Sequence, residues 1–368
     1  MSALDLFLEL AATPSPPGEE RAVADRVTAE LRAIGLTVDE DDAGARIGST
    51  AGNLYCRVPP TGDGTPLFLC AHLDTVPPAG PLEPVVEDGV VRNAGGTILG
   101  ADNKSAVVAM VEAARRLVRE QRPHAGLELV FTPKEEVGLR GAEAFDCSRL
   151  IARVGFVYDQ AAPIGEIVVG APYASTLELT FRGQAAHAGM APEEGRSAIA
   201  AAARAVADMR LGRLDDETSA NVGTIAGGVA RNIVPDTCVV HAEARSHDES
   251  KLADVVQEML DASSFAASLS GCELETKVER AYRGYRFKRD DAPVRLARAA
   301  LQRAGHSPTL ALSGGGADAN VFNLRGLACV NLANGMADIH SPQEHIAVDD
   351  LERMVEVTLA LLEEARAA

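Results

Sequence analysis

The sequence predicts an α/β protein, a helix-flanked mixed sheet interrupted by a smaller α+β unit. Three observations predict it. Short apolar runs alternate with long amphipathic stretches in the first part of the chain, the pattern changes near residues 170–172 to strands with one wet face, and the first style returns after Gly284. Alternation of the first kind covers a sheet with helices on both faces, whereas open-faced strands with two helices make a separate two-layer unit. The simplest organisation is one discontinuous domain, residues 1–171 and 284–368, with residues 172–283 inserted.

Each element follows from its spacing. Residues 4–12 and 19–34 repeat apolar positions at helical intervals. Residues 53–58 and 67–71 are short apolar runs closed by polar, Gly or Pro residues, and so are strands. Residues 103–121 form a long amphipathic helix, and 127–132 and 154–158 form buried strands. In the insertion, residues 176–182 alternate in and out as a strand does. A helix (195–209), strands near 222–225 and 237–245, a helix (249–262) and a strand (273–281) follow, so the unit has four strands and two helices. The last part reads as helix 294–304, strand 309–312, helix 317–324, strand 328–332 and a final helix over 351–366.

Composition excludes several classes of partner. The formal charge is 35 − 53 = −18. Nucleic acid and anionic membrane both need basic patches, so neither is expected as a partner. Acidity of this size suits a cationic ligand, and it equally serves plain solubility. The six cysteines are scattered without a CxxC pair, which argues against a thiolate zinc site or a disulfide framework and for reduced thiols in the cytoplasm. The opening MSALDLFLELAATPSPP lacks the basic start of a signal peptide. No apolar run approaches the roughly 20 residues that span a bilayer.

Metal-type side chains sit where apolar runs end. His72 and Asp74 follow LFLCA and lie two apart, so on a strand they share a face. A metal-bound histidine usually gives its other ring N–H to a carboxylate or carbonyl, a role open to Asp74. Taken alone, the pair reads more readily as a structural hydrogen bond at a strand end. Asp102, in LGADNKSA, stands at a helix start, where Asp also serves as an N-cap. Glu135 and Glu136 are adjacent carboxylates after the strand LELVFT, and in isolation they are also an acidic turn. Asp159 ends GFVYD, where a carboxylate beside apolar residues needs a partner. His340 lies in the polar turn DIHSP, and His345 is a weaker candidate nearer the final helix. Together these residues suggest a two-metal centre. Two divalent ions bring +4, and Asp102, Glu136 and Asp159 bring −3, leaving +1 to favour a water of lowered pKa. Oxygen and imidazole ligands without thiolate suit zinc, manganese or cobalt.

With these residues in place the chain resembles the M20 family of di-zinc peptidases and deacylases, and within it the peptidase T-like aminopeptidases. The resemblance covers nearly the whole chain. It implies a catalytic α/β domain over 1–171 and 284–368 and a lid and dimerisation domain over 172–283. It implies His72, Asp102 and Asp159 around one metal, and Asp102, Glu136 and His340 around the other, with Asp102 shared and a cis peptide after it. Asp74 would orient His72, and Glu135 would be the general base. His187, in GQAAHAGMAPEEG, matches a lid histidine that stabilises the oxyanion, often in the partner subunit's site. Asn232 and Arg245 match lid residues that bind the substrate's backbone and carboxylate. The run SGGGADAN, with Gly315 and Asp318, matches a substrate-side Gly-Gly-x-Asp loop, though an extra Gly and Ala317 alter its pattern. The implied protein is a cytoplasmic homodimeric aminopeptidase of short peptides. An N-acyl amino acid deacylase is the alternative within the superfamily, and a non-catalytic binding protein is the alternative outside it.

Overall fold

The computed structural model describes residues 2–367 and divides into two compact units. One runs to Gly170 and resumes over Arg286–Ser313 and from Ala317 onward; the other is Ala171–Tyr285 with Gly314–Gly316. The Gly-rich run 314–316, expected in the discontinuous domain, therefore clusters with the insertion.

The first unit is built on a mixed sheet. Its strands run in the order Val38–Glu40, Leu54–Val58, Leu127–Thr132, Leu67–His72, Val154–Gln160, Ala328–Ala333 and Glu166–Ala171, with Thr309–Leu312 beside the last. Four neighbours, from Leu127–Thr132 to Ala328–Ala333, are mutually parallel, and strands on either side are antiparallel to them. The four parallel strands are apolar nearly throughout because helices cover both faces. Leu67, Leu69 and Ala71 point into the main apolar cluster. That cluster includes the Ala- and Val-rich helix Ala101–Glu120, which packs on the strands and on the final helix Val348–Ala367. Phe68, with opposite parity, meets Phe322 on the other face at a ring-centroid distance of 5.0 Å. Parallel pairing brings the carboxyl ends of these strands to one edge of the sheet: His72 is level with Thr132, and Cys70 with Val157.

The second unit is an antiparallel sheet in the order Gly212–Arg213, Thr218–Gly227, Thr237–Ser246, Tyr173–Arg182 and Glu273–Tyr282. Helices Ala198–Asp208 and Glu249–Leu269 cover one face through Leu177, Leu179, Val240 and Ala244. It has one short strand more than expected, Gly212–Arg213. Its second helix runs past residue 262 to Leu269 because Ala266 and Ala267 renew the buried stripe and the Ser263 hydroxyl bonds back to Met259 O at 2.8 Å.

The strands Glu166–Ala171, buried and apolar, and Val38–Glu40 were not expected, and the other departures are short. Pro84–Glu87, Val90–Asn93 and His345–Ala347 form a small separate sheet, and Ala43–Ile47 and Arg140–Ala144 are five-residue helices. Segments this brief carry too few apolar positions to show a period. The helix expected from residue 103 is drawn from Ala101, but Asp102 and Asn103 are non-helical and the peptide between them is cis.

Gly155 sits level with Phe68 in the adjacent strand, and a Cβ there would lie 2.2 Å from the Phe68 ring. Gly155→Ala is expected to destabilise the first unit by about 1–3 kcal/mol through overpacking, read as a lowered denaturant midpoint.

Candidate metal centre

Two groups of side chains converge at the carboxyl edge of the parallel strands. His72, Asp102 and Asp159 form one, and Asp102, Glu136 and His340 the other, the donor atoms of each lying within 4.8 Å of one another. Asp102 belongs to both. Its Oδ1 lies 3.0 Å from His72 Nε2 and its Oδ2 3.2 Å from His340 Nε2. The Asp102 side chain makes no helix cap, so the N-cap reading of this residue fails.

His72 ends its strand and is buried. Its Nδ1 lies 2.8 Å from the backbone carbonyl of Asp74 and 3.5 Å from the Asp74 carboxylate. The orienting acceptor is thus chiefly the Asp74 main chain. The carboxylate also binds two amides. Oδ1 accepts from the Glu135 N–H at 3.0 Å and Oδ2 from the Glu136 N–H at 3.1 Å. One buried fork therefore holds the turn that carries both glutamates. Asp159 is held similarly, its N–H donating to Asn331 Oδ1 at 2.8 Å and its carbonyl accepting from Asn331 Nδ2 at 2.7 Å. Glu344 takes the amides of Leu99, Gly100 and Asp102. Sequence reasoning does not find Asn331 or Glu344. Glu344 leaves one signal, an acidic residue shortly after His340 and just before His345, at the start of an apolar IAV run.

The donor set fits divalent cations. A neutral imidazole has one N–H. With that of His72 given to the Asp74 carbonyl, Nε2 presents a lone pair to Asp102 and to Asp159 Oδ1, 3.7 Å away. His340 Nε2 likewise faces Asp102 and, at 3.0 Å, Glu136. Lone pairs converging from every side need positive charge between them. The titration behaviour has the same cause. Burial, reinforced by the Asp102 charge, pushes the Asp159 carboxyl up to about 8. Burial and then Asp159 hold Glu135 well above the usual carboxylate range. His340 is pushed up to about 10 by Asp102 and Glu136. For His72, burial pulls downward but bonds to Asp102, Asp159 and Asp74 outweigh it, and the net shift is upward. Glu135 is buried and belongs to neither ligand group.

The other candidates are distributed between the units. Asp318 is buried in the first, where its Oδ2 accepts from Thr132 Oγ1 at 2.5 Å and Cys70 Sγ at 3.5 Å. Burial pushes its carboxyl up to about 6. Gly315 lies in the second unit, so the expected Gly-Gly-x-Asp loop is divided between them. His345 lies 2.9 Å from Gln343 O and joins no ligand group. In the second unit, His187 is exposed and its Nδ1 accepts from the Gly189 and Met190 N–H groups at 3.1 and 3.2 Å. That network places the ring proton on Nε2. The Ala188 N–H donates to Asn232 O at 3.0 Å, which keeps Asn232 beside His187. Arg245 makes a fork with Glu243, two residues along its own strand rather than across the sheet, at 3.1 and 2.9 Å, and donates to Gly314 O at 3.3 Å.

Residues 68–364 match Peptidase family M20/M25/M40. The chain belongs to this family. Aminopeptidase PepT from Bacillus cereus ATCC 10987 is 40% identical and superposes at a TM-score of 0.88 over 99% of this chain and 98% of its own. A tripeptidase from Staphylococcus aureus subsp. aureus mu50 is 36% identical, with a TM-score of 0.93 over 100% and 98%. Succinyl-diaminopimelate desuccinylase of Stenotrophomonas maltophilia (strain R551-3) is 29% identical over 96% of each chain. This M20-family chain is a peptidase-type hydrolase with two sets of side chains able to hold metal.

Proton-bearing groups with values above neutrality must deprotonate to ligate. Loading the metal-free protein with zinc at pH 7 is expected to release protons, and apparent affinity should rise with pH up to about 10, beyond which His340 is already neutral. Calorimetry in buffers of different ionisation enthalpy reads the release; identical heats in all buffers would contradict it.

Proposed function

We propose that this protein is a two-metal aminopeptidase of short peptides. The observation that carries the reading is the pair of ligand groups sharing Asp102, with the buried Glu135 carboxylate beside them and outside both. His72, Asp102 and Asp159 would hold one ion and Asp102, Glu136 and His340 the other, with zinc the best fit and manganese or cobalt workable. When bound, such ions polarise a carbonyl oxygen and lower the pKa of water to about 7.

The chain's own residues then do the proton work. Glu135 takes a proton from the attacking water and returns it to the leaving amine. Asp74 keeps it in place by holding its N–H and that of Glu136. His187, with its proton on Nε2, donates to the oxyanion of the tetrahedral intermediate. Asn232, Arg245 and Gly315 bind the peptide, Arg245 by exchanging Glu243 for the substrate carboxylate that suits its planar fork; Asp318, buried and bonded to Thr132 and Cys70, does not reach the peptide. The insertion serves as lid and dimerisation unit of a cytoplasmic homodimer. The two relatives named as peptidases favour peptide substrates. The desuccinylase relative favours a second reading, hydrolysis of N-acyl amino acids by the same centre.

Free tripeptides tested against N-acyl amino acids, with metal-stripped and reconstituted protein, separate the two. Turnover of the tripeptides that depends on added metal is expected; turnover of the N-acyl amino acids alone would transfer the assignment to the second reading. Glu135→Gln should abolish turnover while leaving metal content unchanged, and parallel loss of metal would show that the roles of the two glutamates are reversed. His187→Ala should lower kcat by about 10²–10³-fold, the cost of losing one oxyanion donor. A wild-type rate in that variant would exclude the role.

A further inference from the structure

Glu344 is 2% exposed and lies outside both ligand groups. Its carboxylate accepts three main-chain N–H groups: Oε2 from Leu99 at 2.8 Å and Gly100 at 2.9 Å, and Oε1 from Asp102 at 3.0 Å. The chain turns sharply there. Gly100 has φ +79°, where a Cβ would come within 3.2 Å of Thr75 Cγ2, and Asp102 has φ −79° and ψ 106°. A backbone bent in this way presents amides that no helical carbonyl can take, and leaving them buried and unpaired would be costly.

The same loop that carries Glu344 also carries His340. Main-chain bonds between Ala337 and His345, at 3.0 and 3.1 Å, close it on itself, and the Glu344 N–H donates to Ser341 O at 3.1 Å. His340 Nε2 lies 3.2 Å from Asp102 Oδ2. One short segment therefore meets Asp102 twice: His340 Nε2 faces its carboxylate, and Glu344 holds its N–H.

We propose that Glu344 is a positioning residue for the shared ligand: it fixes the Asp102 main chain so that one carboxylate oxygen faces each ligand group. This role rests on Asp102 being shared between two metals. The geometry specifies its own probe. In Glu344→Gln the amide oxygen can serve Leu99 and Gly100, but the NH2 group then meets the Asp102 N–H, a donor facing a donor. The substitution thus removes the Asp102 contact with little change in volume.

The test is zinc affinity by competition with a chromophoric chelator, at a temperature where circular dichroism shows both metal-free proteins folded. Glu344→Gln is expected to bind zinc about 10–100-fold more weakly, the usual loss when a group supporting a metal ligand is removed. In the reconstituted enzyme kcat should fall with KM unchanged, because Glu344 is buried and its carboxylate is taken up by three main-chain amides. Wild-type affinity and kcat in the variant, with only a lowered unfolding temperature, would mark a plain loop staple and overturn the proposal. Should the Gln variant not fold, Glu344→Asp is read in the same way: it keeps both acceptors on a shorter arm, and unaltered zinc affinity would again overturn it. Wild-type protein that takes up no zinc would instead remove the two-metal reading beneath the proposal.

Discussion

A crowd of like-charged carboxylates is the constraint on which the rest of the first unit depends. Asp102, Glu136 and Asp159 are drawn together with Glu135 beside them, and two imidazoles point their Nε2 atoms into the same space. Such groups repel one another in a dry environment, so their approach has to be imposed through the backbone. Three buried side chains impose it. Asp74 grips the Glu135–Glu136 turn, Asn331 grips Asp159 at both its N–H and its carbonyl, and Glu344 grips Asp102. The bonds made by Asp74 and Glu344 are charge-assisted and strong, those made by Asn331 are neutral but paired, and all of them leave the ligand side chains free to face inward.

The sheet makes that arrangement possible. Parallel pairing puts successive carboxyl ends on one edge, so His72, the Glu135–Glu136 turn and Asp159 begin as neighbours. The buried helix after Asp102 brings the shared ligand, and the loop of His340 closes the group. The apolar faces, with Leu67 and Leu69 on one side and Phe68 and Phe322 on the other, keep the strands rigid beneath the centre. The second unit has its own core and holds a different kind of group: His187 fixed in one tautomer by two backbone amides, next to Asn232.

Much of this was legible in the sequence because chemistry and period coincide. His72 and Asp159 each terminate an apolar run, and Glu135 and Glu136 follow one closely, which makes them conspicuous. The long strands and helices show clear periods, whereas Val90–Asn93, His345–Ala347 and Arg140–Ala144 are too short to show one. Asn331 was hidden because a polar residue within a strand reads as an exposed position; here it faces Asp159 on the neighbouring strand.

By itself the sequence determined the order of most of the longer elements, the switch of style near residue 171, the net acidity and the kind of side chain at several strand ends. Those are local properties, set by spacing and composition. Which main chain each buried carboxylate holds was decided only by the tertiary structure. Asp74 reaches Glu135 across 61 residues, and Glu344 reaches Asp102 across 242. Periodicity tells a residue which face it occupies; only the folded sheet tells it which amide stands opposite.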